Sequence, residues 1–203
     1  GIHKLLLKRP ENHDASFRAL LDECLSEAID LVEVRRRDII RANSFIFLTG
    51  RDAITPLHFD PEYGFFMQIE GRKTYNLWSP HEVDDDDLER HYAHRAIDVG
   101  KVSVDDPNAP SLVVALEPGV VLHQPPEAPH WVQTHNEVSV SYSIAFETEA
   151  SRARGRTFAF NRLARKLGGK PGRPGESAIA DRVKSTSMRV LAPAIEAARK
   201  LGR

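Results

Sequence analysis

The sequence predicts a mainly β fold with helical flanks: a double-stranded β-helix of the jelly-roll type, followed by C-terminal helices. Short runs of β-branched and aromatic residues recur between Ser44 and Phe146, punctuated by Gly and Pro. The last run alternates. Val138, Val140, Tyr142, Ile144 and Phe146 take one face, and Ser139, Ser141, Ser143 and Ala145 take the other. One large and one small face at period two suit a strand that lines a cavity. After Glu147 the alternation stops, and Arg, Ala and Leu dominate two helical stretches.

Taken in order, Phe17, Leu20, Leu21, Cys24, Leu25 and Ala28 recur every three or four residues, so Asp14 to Leu31 reads as a helix capped by Asp14. Arg35-Arg36-Arg37-Asp38 reads as a solvated turn or short helix. Ser44 to Thr49 is a strand closed by Gly50. Glu62 to Ile69 is a strand, Glu70-Gly71-Arg72 a tight turn, and Lys73 to Trp78 the expected hairpin partner. Asp84 to Asp87 stand at the start of a short helix, where the helix dipole favours acids. The Gly and ligand spacing of a calcium loop are missing there. Ser111 to Leu116, Val120 to Leu122, His130 to Thr134 and Val138 to Phe146 complete the β portion. Ser151 to Leu167 and Glu176 to Leu201 read as helices separated by a Gly/Pro-rich linker. Three segments follow: an N-terminal helical flank at 1–42, a β-helix core at 43–149, and a basic helical appendage at 150–203.

At 203 residues the chain is long enough for one sizeable core plus that appendage. The single cysteine, Cys24, excludes an internal disulfide, fits a reducing cytoplasmic setting, and reads as a helix packing residue. No apolar run approaches the ~20 residues of a membrane span, and no secretory signal is expected. The chain starts at Gly1 rather than Met, which leaves its natural start open. Charge is unevenly placed. Residues 151–203 hold 14 Lys and Arg against Glu176, Asp181 and Glu196, a net of +11, whereas 1–150 carry −12. The basic element meets either the chain's own acids or an anionic partner.

The stretch with chemistry in it runs from Thr55 to Lys73. His58 and Asp60 are one residue apart, and in an extended strand such positions share a face, with Phe59 turned the other way into a hydrophobic layer. Pro56 favours extended backbone around it. A second histidine, His130, follows the turn Pro125-Pro126 and precedes a strand. Two histidines and one carboxylate leave three open positions on an octahedral ion, the facial set of non-haem Fe(II) oxygenases. Against this, Asp60 also reads as a turn residue before Pro61 with Glu62 as its substitute, and Lys73 as an ordinary hairpin lysine. His123 reads as a pocket or surface residue, and His81, His91, His94 and His135 as satisfied surface residues. Trp78 and Trp131 read as core. Ser141 and Ser143 either bond a co-substrate or leave room for it.

With these residues in view, the stretch from about Ser44 to Phe146 resembles the JmjC family of cupin-type proteins. Within it, the similarity is to the small hydroxylase branch that includes the asparaginyl hydroxylase of hypoxia factors, and to bacterial cupin-like proteins with a basic helical tail. The resemblance rests on Thr55-Pro56-Leu57-His58-Phe59-Asp60, on Gln68-Ile69-Glu70-Gly71-Arg72-Lys73, and on Leu116-Glu117-Pro118-Gly119 leading to Pro125-Pro126 and His130. It implies that His58, Asp60 and His130 bind Fe(II) and form the catalytic centre. It also implies that Lys73, fifteen residues after His58, pairs with the distal carboxylate of 2-oxoglutarate, and that the Thr55 hydroxyl joins it. O2 is the co-substrate so implied, and hydroxylation of a polypeptide side chain or a small molecule the reaction. Three features depart from the pattern: Gly64 replaces an asparagine, Phe45 and Phe47 stand where a tyrosine is expected, and Ala128-Pro129 replace an aromatic pair.

Two further readings differ in class. One is a non-catalytic metal-binding cupin serving as sensor or scaffold. The other is a transcriptional regulator whose basic tail meets nucleic acid, although no helix-turn-helix or zinc-finger spacing is present. For that tail, a helical pair that forms a homodimer is the simpler expectation, because Phe158, Phe160, Leu163 and Leu167 also need burial.

Overall fold

The computed structural model describes residues 4–94 and 100–201. Strand β1 (Lys4–Lys8) opens the chain, and helix α1 (Ala15–Leu31) follows. Next come β2 (Ile39–Thr49), β3 (Ile54–His58), β4 (Tyr63–Glu70), β5 (Lys73–Leu77) and helix α2 (Asp85–His94). Strands β6 (Leu112–Leu116), β7 (Val121–Gln124), β8 (His130–Thr134) and β9 (Ser139–Thr148) lead to helices α3 (Glu149–Lys166) and α4 (Ala178–Leu201).

Two sheets form, ordered β1-β2-β9-β4-β7 and β3-β8-β5-β6, and every strand pair is antiparallel. This is the expected jelly-roll double-stranded β-helix with C-terminal helices. The two faces of β9 divide the labour. Tyr142, Ile144 and Phe146 pack with Phe65 against Leu21, Leu25, Ala28 and Ile29 of α1. Ser139 and Ser141, on the other face, are fully buried. A second cluster joins Tyr75, Leu77, Leu116 and Val132 of the smaller sheet to Leu122 and Phe66 of the larger one. The α1 helix starts where its cap predicts, with the Asp14 carboxylate accepting from the Ser16 N–H at 2.7 Å.

The hairpin expected at Glu70-Gly71-Arg72 is not one. β4 pairs with β7 and β9, whereas β5 pairs with β6 and β8 in the other sheet. The turn therefore carries the chain between sheets. Gly71 sits at φ +70°, and a Cβ there would lie 2.4 Å from the Val138 carbonyl oxygen. The Gln68 side-chain amide holds the turn by donating to the Glu70 and Gly71 carbonyls at 2.7 and 2.9 Å. Either connection puts alternate residues of both strands inward, so the sequence pattern is the same for both.

The expected helical flank at 1–42 also contains strands. Lys4–Lys8 forms an edge strand on β2, and β2 begins at Ile39, not Ser44. Lys-Leu-Leu-Leu-Lys has no period of its own, and its strand form comes from pairing with Phe45 to Thr49.

Two compact units divide the described residues, one holding 4–83 and 100–149, the other 84–94 and 150–201. The first is the β-helix with α1. In the second, acids of α2 meet bases of the tail: Asp86 with Arg162 at 2.5 Å, Glu89 with Arg165 at 3.0 Å and Asp85 with Arg173 at 3.1 Å. The basic appendage thus finds anionic partners within its own chain. Phe158, Leu88 and Met188 are buried in that unit, and Tyr92 stacks on Phe158 with centroids 5.8 Å apart. His91 is buried too, against the surface role expected of it, because the unit is built around the helix that carries it.

Candidate metal and anion site

His58, Asp60 and His130 come together. Their ligand atoms lie within 4.8 Å of one another, with His130 Nε2 3.8 Å from Asp60 Oδ2 and the two imidazole centroids 4.1 Å apart. Bonds of about 2.1 Å to a shared ion bring such donors to about 3–4 Å of each other, so small side-chain rotations suffice for ligation.

Local backbone explains the convergence. β3 and β8 pair Thr55 with Val132 and His58 with His130, so β3 carries one residue more than its partner over that stretch. Such a bulge re-aims a side chain. On a regular strand Thr55 and His58 would point to opposite faces. The bulge lets both face β8 positions of one parity. Asp60 lies just past the end of β3, not within it as the strand-parity argument has it. Its position is set instead by the Glu127 N–H, which donates to the Asp60 carbonyl at 2.8 Å. Phe59 between them is buried, as expected.

Both imidazoles have their tautomer fixed. His58 Nδ1 is 2.7 Å from the Pro56 carbonyl and His130 Nδ1 is 3.0 Å from the Ala128 carbonyl. A carbonyl only accepts, so each Nδ1 carries the proton and each Nε2 keeps its lone pair for an ion. Burial, with the neighbouring His58 charge, holds His130 well below the usual imidazole range, which keeps it neutral and ready to ligate. Tyr75 stacks on His130 with centroids 5.2 Å apart.

Gln124, absent from the sequence candidates, supports Asp60. Its amide N–H approaches Asp60 Oδ2 at 3.5 Å, and its carbonyl oxygen accepts from the Tyr75 hydroxyl. Gln124 pairs with Gly64 across β4 and β7, and a Cβ on Gly64 would press on its side chain at 3.4 Å. The glycine thus makes room for the glutamine. Its inward parity on β7, shared with Leu122, is the signal the sequence carries for it. His123 itself packs between the rings of Tyr63 and Phe65.

Lys73 lies within the same β-helix. It is 3% exposed, donates to Ser141 Oγ at 2.8 Å and sits 5.1 Å over the Phe66 ring. Ser141 passes the bond on to Gln68 Oε1 at 2.8 Å, so that hydroxyl serves the lysine. Among the described residues no carboxylate pairs with Lys73. Burial, then the charge of Lys4, pulls its pKa down from 10.5 to about 8. A buried cation without a counter-ion is costly, and an incoming anion would relieve it. Thr55 is half-buried and its hydroxyl accepts from Lys4 Nζ at 3.2 Å. Phe47, where the resemblance expects a tyrosine, packs on Phe66 with centroids 5.6 Å apart.

A jelly roll in which two imidazoles and a carboxylate meet is a metal-centre fold of the cupin class. The JmjC domain model matches residues 19–153, and the chain belongs to that family. It is 30% identical over 119 residues to JmjC domain-containing protein D of Dictyostelium discoideum, covering 54% of this chain and 25% of that protein. The chain thus spans about a quarter of the length of that curated relative. Among solved structures it is similar to ycfD of E. coli, with TM-score 0.51, 20% identity, 92% of this chain covered and 47% of that one. A second structure of that protein, described as a ribosomal oxygenase, gives TM-score 0.49 at 21% identity, covering 92% of this chain and 45% of that one. No described helix is long and apolar enough to cross a membrane.

Proposed function

We propose that the chain is an Fe(II)- and 2-oxoglutarate-dependent oxygenase that hydroxylates a polypeptide side chain or a small molecule. The observation that carries this reading is the pairing of a two-histidine, one-carboxylate donor set with a buried lysine that lacks a carboxylate partner. The donor set suits Fe(II), since it is the facial arrangement that leaves positions open for other ligands. His58, Asp60 and His130 would hold the ion. Lys73, bonded to Ser141, would hold the far carboxylate of the keto acid through a charge-assisted bond, and the Thr55 hydroxyl would join it.

When bound, iron and 2-oxoglutarate supply the oxidising chemistry, in which O2 yields succinate, CO2 and a hydroxylated product. The chain's own residues bind and orient. The Pro56 and Ala128 carbonyls fix the imidazoles, Gln124 and Tyr75 brace Asp60, and the Phe66 ring covers the Lys73 ammonium.

The test is succinate formation from 2-oxoglutarate in the presence of Fe(II), measured with calorimetric binding of 2-oxoglutarate to the Mn(II)-loaded chain. Wild type should bind and turn over slowly even without substrate, and His58→Ala should do neither. Metal binding without keto-acid binding would favour a sensor or scaffold instead.

A further inference from the structure

Lys73 is not the only cation at its end of the β-helix. Strand β1 pairs with β2 in the register Lys4 to Thr49, and β2 pairs with β9 in the register Thr49 to Ser139. Residues directly opposite in a sheet share a face. Lys4 therefore projects on the face that carries Thr49 and the buried Ser139 and Ser141, the face turned toward Lys73. Its ammonium crosses to the other sheet, donating to the Ile54 carbonyl and to Thr55 Oγ1. Thr49 Oγ1 and Thr134 Oγ1 lie 3.1 Å apart beneath it, and Thr134 is the register partner of Lys73.

Two lysines, Lys73 buried and Lys4 exposed, thus meet with several hydroxyls at one end of the β-helix. No ion pair is formed by Lys4 or Lys73 with any carboxylate of the described residues. The two ammonium groups feel each other, since Lys4 contributes to lowering the Lys73 pKa. Proteins do not bring like charges together without either a cost or a ligand. A one-residue change of parity would turn Lys4 away from this face, yet the register keeps it there, exposed at the edge with its ammonium on the Ile54 carbonyl and Thr55.

We propose that Lys4 is a second anchor for the carboxylate held by Lys73, closing over it from β1 and making the site selective for a dianionic keto acid over a monoanionic one. The assignment rests on the function proposed above and adds a residue from outside the segment matched by the family model, which begins at residue 19. Thr55 then acts as a shared hydroxyl that orients Lys4 before the ligand arrives and joins the ligand afterwards.

The experiment is calorimetry on the full chain loaded with Mn(II), comparing wild type, Lys4→Met and Lys4→Arg, with 2-oxoglutarate and with pyruvate as titrants. Lys4→Met should weaken 2-oxoglutarate binding roughly tenfold or more, the effect of losing one charge-assisted bond. It should leave Mn(II) affinity and pyruvate binding unchanged, and Lys4→Arg should restore most of the loss. Lys4 is exposed at a sheet edge, so Lys4→Met should melt within a few degrees of wild type. If wild type binds 2-oxoglutarate and Lys4→Met binds it equally well, the Lys4 assignment is overturned alone. If wild type binds Mn(II) but no 2-oxoglutarate, the functional reading falls and Lys4 with it.

Discussion

Replacing Lys73 by Met should make the unliganded chain more stable while abolishing its response to 2-oxoglutarate. The lysine pKa is about 8 in the fold against an ordinary 10.5. The folded chain therefore binds fewer protons than the unfolded one between pH 8 and 10.5, and stability rises with pH across that window. Below pH 8 the penalty for burying the ammonium is fully present. The shift corresponds to about 3 kcal/mol. Met keeps an unbranched stem of similar reach and needs no counter-ion. Ser141 keeps an acceptor in Gln68, so no donor is orphaned by the change. Urea unfolding at pH 7 should then show the variant more stable by about 1–3 kcal/mol. For the metal-loaded wild type, 2-oxoglutarate at a hundred times its Kd should add about 2.7 kcal/mol, and for the variant nothing. Near pH 10.5 the gap between the unliganded proteins should close. A variant less stable than wild type at pH 7 without ligand would refute the claim that this cation is held at a cost, and with it the reason for expecting an anion there.

Other consequences are more local. Gln124→Leu removes the brace on Asp60 and the acceptor of the Tyr75 hydroxyl; Mn(II) affinity should drop about 10–100-fold by calorimetry. Gly71→Ala forces a side chain into a positive φ and against the Val138 carbonyl; the loss should be about 2–4 kcal/mol in urea unfolding. Glu89 is 2% exposed and pairs with the half-exposed Arg165. Arg165→Met should cost about 1–3 kcal/mol by leaving that carboxylate buried alone, and adding Glu89→Met should recover most of it in a double-mutant cycle.

What was legible in the sequence follows from what sequence patterns encode. Period two and period 3.6 mark faces, so α1 with its Asp14 cap, the split faces of β9 and the inward run Lys73, Tyr75, Leu77 could all be read directly. The three metal-ligand candidates could be read because His58 and Asp60 are close in the chain and His130 follows a proline turn. Partner choice between strands is not encoded in parity. Lys73–Leu77 looks identical whether it folds back on β4 or crosses to the other sheet, and only the second occurs. The bulge in β3 was equally silent. Without it, Thr55 and His58 cannot both face inward, so placing them in one site from the sequence rested on resemblance alone. Lys4 and Gln124 were missed for a related reason: each gains its role from a register partner distant in the chain.

Register also sets the spacing between His130 and Lys73. On β8, His130 and Thr134 are four residues apart, about 13 Å along the strand, and they stand opposite Leu77 and Lys73 of β5. The His130 imidazole and the Lys73 side chain are both buried, at opposite ends of that span. Ser141 and Phe66, on the facing sheet, meet the Lys73 ammonium. A slip of one residue between β5 and β8 would turn Lys73 to solvent and leave His130 unmatched. The β-helix therefore does more than bring His58, Asp60 and His130 together. By locking β5 against β8 it fixes how far His130 stands from Lys73, and the two-sheet packing of Tyr75, Leu77, Leu116, Leu122 and Val132 holds that separation.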